Sequence, residues 1–481
     1  MEDSKFERVL SKKDIFAIAF GAMIGWGWVV MAGDWIKGAG TLGSIMAFII
    51  GGIMVLFVGL TYAELTAAMP QCGGEHVFSL RALGKNGSFV CTWAIILGYV
   101  GVVAFEACAF PTVIQYICPG FLKGYMYTIA GFDIYASWVA VGVIASIIIT
   151  IINYFGAKSA AKLQTILTIS IAAIGVALVV ASGFSGNIEN TKPLFTDGVG
   201  GILTVAVMTP FMFVGFDVIP QAAEEINVPF KKIGKIMILS IVMAVIWYIM
   251  IIIAVSMVMT KSQLDTSTLV TADAMKNAFF GSEMAAKVVI IGGMAGIVTS
   301  WNSFFMGGSR AIYSLAESKM LPGFLAKLHP KYKTPTNAIL LIGVISVVAP
   351  FFGRAMMIWL TNAGSFGVVV AYVLVSMSFL VLRFREPDMI RPYKVKCGKI
   401  IGGIAILLSG FMMLLYFPGM PSGLVKEELI MVGAWTVLGI IFYSIAKLKY
   451  SDFGVHEIIN IEGHEEEESR GVNVSLSLIH I

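Results

Sequence analysis

Two acidic residues lie deep within apolar stretches of this chain, where an ionised group has few neighbours to stabilise it. Glu106 stands in Ala104-Phe-Glu-Ala-Cys and Asp217 in Val214-Gly-Phe-Asp. A carboxylate at membrane depth is unfavourable unless it is paired, protonated or in contact with water. Both residues are therefore candidates for binding a cationic group or a coupling proton. For Glu106, a protonated and hydrogen-bonded structural carboxyl is the alternative.

Glycines interrupt the first apolar run, which reads Gly-Ala-Met-Ile-Gly-Trp-Gly-Trp from Gly21 to Trp28. Gly25 and Gly27 weaken a helix where lipid cannot satisfy a freed N–H or C=O group. Such an interruption survives only where protein or a water-lined cavity surrounds it. A helix broken at the midplane is how many secondary transporters hold a small charged solute. A glycine-rich packing face between two helices is the alternative.

A second interrupted run begins at Thr209 and contains Pro210, Gly215 and Pro220. Gly215 follows Gly25 by 190 residues, the offset expected if the first five spans are repeated as spans six to ten. Paired interruptions at corresponding positions of two halves indicate a transporter binding site. We therefore predict broken helices in the first and sixth spans.

Composition places the chain in a membrane, because 58% of its residues are hydrophobic, 13% are charged and the mean hydropathy is +0.88. We predict twelve transmembrane helices, near 14–37, 40–68, 88–118, 134–153, 160–183, 199–223, 235–259, 283–313, 336–353, 355–382, 400–417 and 428–447. No Walker A loop, His-Glu-x-x-His pair or Gly-x-Ser-x-Gly elbow occurs, so the sequence offers no ATP-driven or hydrolytic chemistry and predicts no cofactor. The five histidines lie outside the apolar runs, which excludes a histidine proton relay within the predicted spans.

Basic residues set the predicted orientation. Of 33 lysines and arginines, 25 fall on the side of the N-terminus and the even-to-odd loops, which predicts that both termini are cytoplasmic. The net charge of +4 follows from this topology and indicates no nucleic-acid partner. The predicted organisation is a tail (1–13), a first repeat (14–183), a second repeat (199–382), two further spans (400–447) and a second tail (448–481). Residues 476–481 resemble a translated sequencing adapter more than protein, and we assign them no function.

Six motifs together resemble the amino acid–polyamine–organocation (APC) superfamily over nearly the whole chain. They are Gly-Ala-Met-Ile-Gly (21–25), Tyr-Ala-Glu-Leu-Thr-Ala-Ala-Met-Pro-Gln-Cys-Gly-Gly-Glu-His (62–76), Asn-Tyr-Phe-Gly-Ala-Lys (153–158), Val-Gly-Phe-Asp (214–217) with Ala-Glu-Glu (223–225), Gly-Gly-Ser-Arg-Ala-Ile-Tyr-Ser-Leu-Ala (307–316), and the His-Pro and Thr-Pro pairs between 329 and 335. Each is weak alone, but their order and spacing are specific. The resemblance implies an all-α, LeuT-type inverted repeat of five plus five helices and amino-acid or amine substrates.

The resemblance also implies a substrate site. The N–H groups of Trp26 and Gly27 would receive an α-carboxylate at the start of a half-helix. The carbonyls of Ile24, Phe211 and Val214 would accept the α-ammonium. The Phe211 side chain would cover the solute as a gate, and Phe213 and Asp217 are further gate or coupling candidates. Trp26 departs from the family, which usually has Ser or Thr there, and its indole either narrows the pocket or packs outward.

Three coupling mechanisms stay open at this point. Oxygens of Gly21, Ile24, Gly296, Thr299 and Ser300 are similar to the sodium site of LeuT-fold symporters, although hydroxyls in a span more often bond their own helix. Some proton-coupled relatives carry a lysine midway along the fifth span, at a place that falls near Ser170 or Ile171, and no lysine occurs there. Proton coupling would then use Glu106 or Asp217, and solute exchange is the third mechanism.

We interpret the chain as a cytoplasmic-membrane amino-acid permease working by alternating access, whose partners are a small amino acid or amine and the lipid bilayer. A polyamine or cationic amino-acid carrier using Glu106 is the alternative. A non-translocating amino-acid sensor is the alternative from another class. We predict that Glu64 and Arg310 form gate or packing ion pairs. The oligomeric state does not follow from the sequence.

Overall fold

The computed structural model describes residues 6–129, 131–267, 269–420, 423–455, 457–459 and 478–480, and most of them are helical. The helices are α1 (Lys12–Ile24), α2 (Gly27–Ala39), α3 (Thr41–Ala68), α4 (Glu75–Ile117), α5 (Ala136–Tyr154), α6 (Ala157–Ser185), α7 (Gly198–Ala206), α8 (Thr209–Phe213), α9 (Val218–Gln221), α10 (Phe230–Val258), α11 (Lys261–Thr266), α12 (Val270–Ala278), α13 (Glu283–Glu317), α14 (Thr336–Val348), α15 (Gly353–Arg385), α16 (Gly398–Leu414) and α17 (Lys426–Lys449). Short 3-10 turns lie at Pro119–Phe121, Ile188–Thr191, Ala223–Glu225, Gly323–Ala326 and Ala349–Phe352. Two antiparallel hairpins pair β1 (Tyr125–Ile129) with β2 (Phe132–Tyr135), and β3 (Glu457–Ile459) with β4 (Leu478–His480).

Nine helical segments in the described residues are long and apolar enough to cross a membrane, and the bent pair α1–α2 makes a tenth. One of the nine is Gly198–Gln221, which joins α7, α8 and α9. Two shorter apolar helices, Thr336–Phe352 and Gly398–Leu414, stand where the sequence predicts the ninth and eleventh spans. The protein is therefore a multi-pass membrane protein.

The helix α4 is longer than the sequence predicts. Gly84, with φ +75°, joins its main part to a shorter segment that begins at Glu75. Only glycine adopts this conformation readily, so the helix changes direction at this point. The earlier segment is buried, and it places His76 inside the protein, between the hydroxyls of Ser318 and Ser88 at 2.6 and 2.8 Å. The sequence had placed every histidine outside the apolar runs, and for His76 that boundary was wrong.

The helix α13 packs against α1, α4 and α6, and its contacting faces are buried. Small residues on α13 allow close approach, because a Cβ added at Gly296 would overlap the Gly25 carbonyl. The outer faces carry exposed apolar side chains such as Ile169, Val344 and Leu407, which suits contact with lipid.

Buried ion pairs tie the helix ends together on the side from which α1 begins, hereafter the N-terminal side. Glu64 accepts a hydrogen bond from Arg383 at 2.5 Å and forms an ion pair with Arg391, with Nε and Oε1 2.9 Å apart. Arg310 donates to Glu225 at 2.7 Å. The two residues chosen from sequence thus belong to separate ion pairs.

Candidate substrate-binding site

A cavity of about 400 Å³ lies between the first helix break and the elements packed around it. Gly25 of the predicted break lines it, and so do six of the site residues proposed from sequence: Trp26, Gly27, Glu106, Phe211, Val214 and Ser300. The cavity continues toward the β1–β2 hairpin, where Tyr116 and Phe132 contribute to its wall. A space of this volume suits a small solute.

The first break separates α1 from α2 at Gly25 and Trp26, and the two helix axes are bent by 42°. Because α2 begins at Gly27, the first N–H groups of this helix have no acceptor within the helix itself. Ile24, the last residue of α1, is fully buried beside them. One helix thus presents its N–H end to the cavity where another presents its C=O end.

The side chain of Trp26 packs against α13 and also forms part of the cavity wall. A Cβ added at Gly293 would overlap the indole ring, so the indole fits the space that this glycine leaves open. Trp26 is almost completely buried. The indole therefore occupies a notch in α13 at the edge of the cavity.

The second break lies between Phe213, the last residue of α8, and Val218, the first of α9. Gly215 has φ +138°, and a Cβ there would lie 2.7 Å from the Ala22 Cβ. Asp217 accepts hydrogen bonds from the Gly215 N–H at 2.7 Å and from the Tyr99 hydroxyl at 3.1 Å. This carboxyl satisfies the backbone of its own break and does not line the cavity.

Phe211 and Phe213 point to different surroundings. Phe211 lines the cavity and meets Phe105 edge-on, with ring centroids 6.1 Å apart. Phe213 is fully buried against Phe48 and Tyr248, at centroid distances of 5.8 and 5.6 Å. Of these two phenylalanines, only Phe211 lines the cavity.

Tyr248 on α10 connects the two breaks, and the sequence analysis missed it. Its hydroxyl donates to the Met23 carbonyl at 2.6 Å and lies 3.2 Å from the Met212 carbonyl. These carbonyls belong to the last turns of α1 and α8. A tyrosine in the middle of an apolar run was the available signal, since a buried phenol at that depth requires a hydrogen-bond partner.

Similarity to known proteins shows which family this chain belongs to. The family model described as "Amino acid permease" matches residues 10–442. The chain belongs to the amino acid permease family. It is 26% identical to the branched-chain amino acid permease BcaP of Bacillus subtilis, over 93% of this chain and 95% of that one.

Two further relatives show how widely this permease family varies. The methylthioribose transporter of Bacillus subtilis is 25% identical, over 92% of this chain and 94% of the relative. Cationic amino acid transporter 7, chloroplastic, of Arabidopsis thaliana is 24% identical, over 81% of this chain and 68% of the relative. The family membership supports amino-acid transport, whereas the identity of the transported solute must be inferred from the residues of the site.

Glu106 is the acidic group in the wall of the permease's cavity. Its carboxyl interacts with the Ser300 hydroxyl, and Glu106 is 3% exposed. Within the described part of the chain, its Oε2 atom has no hydrogen-bond partner. A buried acceptor without a partner is unfavourable unless water or a solute supplies a donor.

The oxygens proposed to bind sodium only partly converge in this permease. The Thr299 hydroxyl lies 3.0 Å from the Gly21 carbonyl and 2.9 Å from the Gly296 carbonyl. Ser300, the adjacent residue, instead interacts with Glu106 in the cavity wall. The structure therefore brings Gly21, Gly296 and Thr299 together, whereas Ser300 lines the substrate cavity.

The fifth predicted span, α6, presents two polar side chains to α1. Gln164 and Thr168 lie against Gly21 and both approach the Ala17 carbonyl, at 3.2 and 3.3 Å. Ser170 is exposed and bonds the Ile166 carbonyl of its own helix. Ile171, the other expected position, is fully buried, and the correspondence with the relatives' lysine stays a prediction.

Proposed function

We propose that this permease is a secondary active transporter that moves amino acids across the cytoplasmic membrane by alternating access. The observation that carries the proposal is the cavity at the first helix break, bordered by residues of both breaks. We further propose twelve spans in a LeuT-type inverted repeat, with both termini cytoplasmic. The 190-residue offset between Gly25 and Gly215 supports the repeat.

The backbone ends at the breaks suit the two charged groups of an amino acid. The N–H groups of Trp26 and Gly27 would receive the α-carboxylate, because the N-terminal end of α2 carries partial positive charge. The carbonyls of Ile24, Phe211 and Val214 would receive the α-ammonium at the ends of α1 and α8. The α-carboxylate and the α-ammonium would then lose their hydrating water and be stabilised instead by the fixed dipoles of these backbone groups.

The cavity wall favours a solute with a substantial apolar side chain, because Phe105, Phe211 and Phe304 all contribute to it. A cationic amino acid or a polyamine is the second candidate, and the unpartnered Glu106 carboxyl oxygen favours it. Replacement of Glu106 by Gln separates the two candidates. If the solute is cationic, Glu106→Gln should weaken uptake of lysine at least tenfold, whereas uptake of leucine by a carrier of neutral solutes should stay within about threefold.

We propose sodium as one coupling ion for this transporter. The Gly21 and Gly296 carbonyls and the Thr299 hydroxyl are hard oxygen ligands within one small region. A bound ion would contact both the Thr299 hydroxyl oxygen and the Gly21 carbonyl oxygen, which are now joined by a hydrogen bond. It would bind only while the first break holds these oxygens close together. Proton coupling and solute exchange are the competing mechanisms.

Uptake of pooled radiolabelled L-amino acids into proteoliposomes tests the proposed function. An inward sodium gradient, an inward proton gradient and amino-acid-preloaded vesicles are compared in parallel. Accumulation in any of the three supports amino-acid transport and identifies the coupling. If no pool member is taken up in any condition while the reconstituted protein stays monodisperse, the proposed function is wrong.

A further inference from the structure

A second group of buried polar residues lies on the N-terminal side of the second break, outside the substrate cavity. Its members, hereafter the carboxyl cluster, are Tyr62, Glu75, Tyr99, Asp217, Gln221 and Tyr372. All six are fully buried, and none lines the cavity. They come from α3, α4, α9 with its preceding residue, and α15. Four distant parts of the chain therefore bring two acids and three phenols into one enclosure.

The two carboxyl groups of the cluster have only neutral hydrogen-bond partners among the described residues. Asp217 is bonded by the Gly215 N–H and the Tyr99 hydroxyl. Glu75 accepts a hydrogen bond from the Gln221 amide, and the Tyr62 hydroxyl faces it. Gln221, which bonds Glu75, lies about one helical turn after Asp217, so the two carboxyls belong to one buried enclosure.

Basic groups near the cluster are engaged elsewhere. The ring nitrogens of His76 lie within hydrogen-bond distance of Ser318 and Ser88, and Arg310 pairs with Glu225. The other titratable group facing Glu75 is the Cys91 thiol on α4. No lysine, arginine or histidine of the described chain contacts either carboxyl in an ion pair.

Several polar atoms of the cluster lack partners, although all are fully buried. Within the part of the chain that the structure describes, Glu75 Oε1, Gln221 Oε1 and the hydroxyls of Tyr62 and Tyr372 make no hydrogen bond. The Tyr372 ring stands 5.9 Å from the Tyr62 ring and 5.5 Å from the Phe216 ring, measured between centroids. The Glu75 and Gln221 oxygens are acceptors that are costly to bury without a donor, and a proton bound to the carboxyl pair would supply one.

Charge and space together favour a proton over a larger ion. Two carboxylates buried together without a cation repel each other and lose their hydration, and one bound proton removes one of the two charges. The proton also converts an acceptor into a donor for an unpartnered oxygen. The packed rings of Tyr62, Phe216 and Tyr372 fill the enclosure, and a proton needs no added volume.

We propose that Glu75 and Asp217 form a proton-binding site that holds one proton while the N-terminal side is closed and releases it when that side opens. This inference rests on the proposed transport function and adds a coupling site to it. It is independent of the sodium site, which lies between α1 and α13.

Contacts between α9 and the start of α4 explain why proton binding would depend on whether the N-terminal side is open or closed. The Gly73 N–H donates to the Gln221 carbonyl at 3.2 Å, and a Cβ at Gly74 would lie 2.5 Å from the Pro220 side chain. Closure thus presses the Glu75 end of α4 onto the residues that follow Asp217. Separation of these segments would admit water, hydrate both carboxyls and let both ionise.

Proteoliposomes without sodium test the inference with two readouts. Counterflow of pooled radiolabelled L-amino acids at equal pH requires binding and conformational exchange but no net proton movement. Accumulation under an inward pH gradient requires proton coupling. The variants are Glu75→Gln and Asp217→Asn, and Glu428→Gln is the matched control because this carboxyl on α17 is also buried, at 2% exposure, and bonds Asn362.

We expect wild type and Glu428→Gln to show both activities. Glu75→Gln and Asp217→Asn should lose at least tenfold in pH-driven accumulation and keep counterflow within about threefold. Retained accumulation in Glu75→Gln, or wild-type counterflow without any pH-driven accumulation, overturns the inference. Absence of wild-type counterflow instead refutes the transport function, and the inference falls with it.

Tyr372→Phe keeps both carboxyls and serves if the acid variants fail to fold. Among the described residues the Tyr372 hydroxyl makes no hydrogen bond, so it can donate to a carboxyl that ionises, and its loss should raise the pH at half-maximal uptake by about half a unit or more. Tyr443→Phe, whose hydroxyl bonds Asn86 at the start of the main part of α4, is the matched control and should leave that pH unchanged. Equal pH profiles for wild type and Tyr372→Phe overturn the inference.

Discussion

The two helix breaks of this permease arise from similar residues but have different surroundings. At the first break, Gly25, Trp26 and Gly27 all line the cavity, and other helices satisfy carbonyls of α1 through Tyr248 and Thr299. At the second break, Asp217 bonds the backbone of its own segment, and Gly215 packs against α1. One break leaves backbone groups available to a solute, whereas the other is closed by its own carboxyl.

This difference teaches that a break serves binding only where its backbone groups have no internal partner. An N–H or C=O group that already has a hydrogen bond gains little from a ligand. Gly25, Trp26 and Gly27 at the first break should therefore control binding of the carboxylate, whereas Gly215 and Asp217 at the second should control stability and the closed conformation. Four substitutions test this division.

The largest effect is expected for Gly27→Val. A Cβ at Gly27 would lie 2.8 Å from the Met212 sulfur, so valine must displace Met212 into the space beside the solute carboxylate. Affinity for the transported amino acid should fall at least about a hundredfold, as measured by scintillation proximity binding. Gly183→Val is the control, because a Cβ there meets no neighbouring atom. Wild-type affinity in Gly27→Val would show that the carboxylate binds elsewhere.

Gly215→Ala should act on stability more than on the site. Its φ of +138° suits glycine, and a Cβ would lie 2.7 Å from the Ala22 Cβ. We expect a loss of roughly 1–3 kcal/mol, seen as a lower melting temperature in detergent. Gly281→Ala separates backbone strain from steric contact. Gly281 also has positive φ, but a Cβ added there would meet no atom. Equal losses in both variants would contradict a role for packing against α1.

Tyr248→Phe should weaken solute binding about tenfold, because it removes the donor for the Met23 carbonyl and leaves that acceptor buried. The ring stays in place between Phe48 and Phe213. Binding and thermal stability are measured on the same preparation. If stability falls while affinity does not, the tyrosine supports the fold and has no part in shaping the first break.

The smallest effect is expected from the hydroxyl pair on α13. Thr299→Ala should abolish sodium stimulation of uptake, whereas Ser300→Ala should preserve it, because only Thr299 contacts the Gly21 carbonyl. The measurement is initial uptake with sodium or with choline as the external cation. Equal sodium dependence in wild type and Thr299→Ala would exclude this site.

Several features of the fold were predictable because they depend on local chemistry. Glycine and proline weaken a helix wherever they stand, so Gly25 and Gly215 marked both breaks correctly. Long apolar runs predicted the spans, although ten are supported by length and hydropathy in the described residues against twelve predicted. The boundary near Glu75 failed because burial of that segment comes from its neighbours, not from its own hydropathy.

The sequence by itself determined that this protein crosses a membrane many times, that two of its helices break, and that acidic groups lie at depth. These properties follow from hydropathy and from backbone preferences within a few residues. Only the tertiary structure decided which groups meet. It placed the Tyr248 hydroxyl between carbonyls of both breaks. It put Ser300 beside Glu106, whereas the adjacent Thr299 contacts Gly21. It also brought Glu75 and Asp217 into one buried cluster. Such contacts depend on how helices far apart in the chain rotate and cross, and one sequence does not specify helix rotation to the precision of a hydrogen bond.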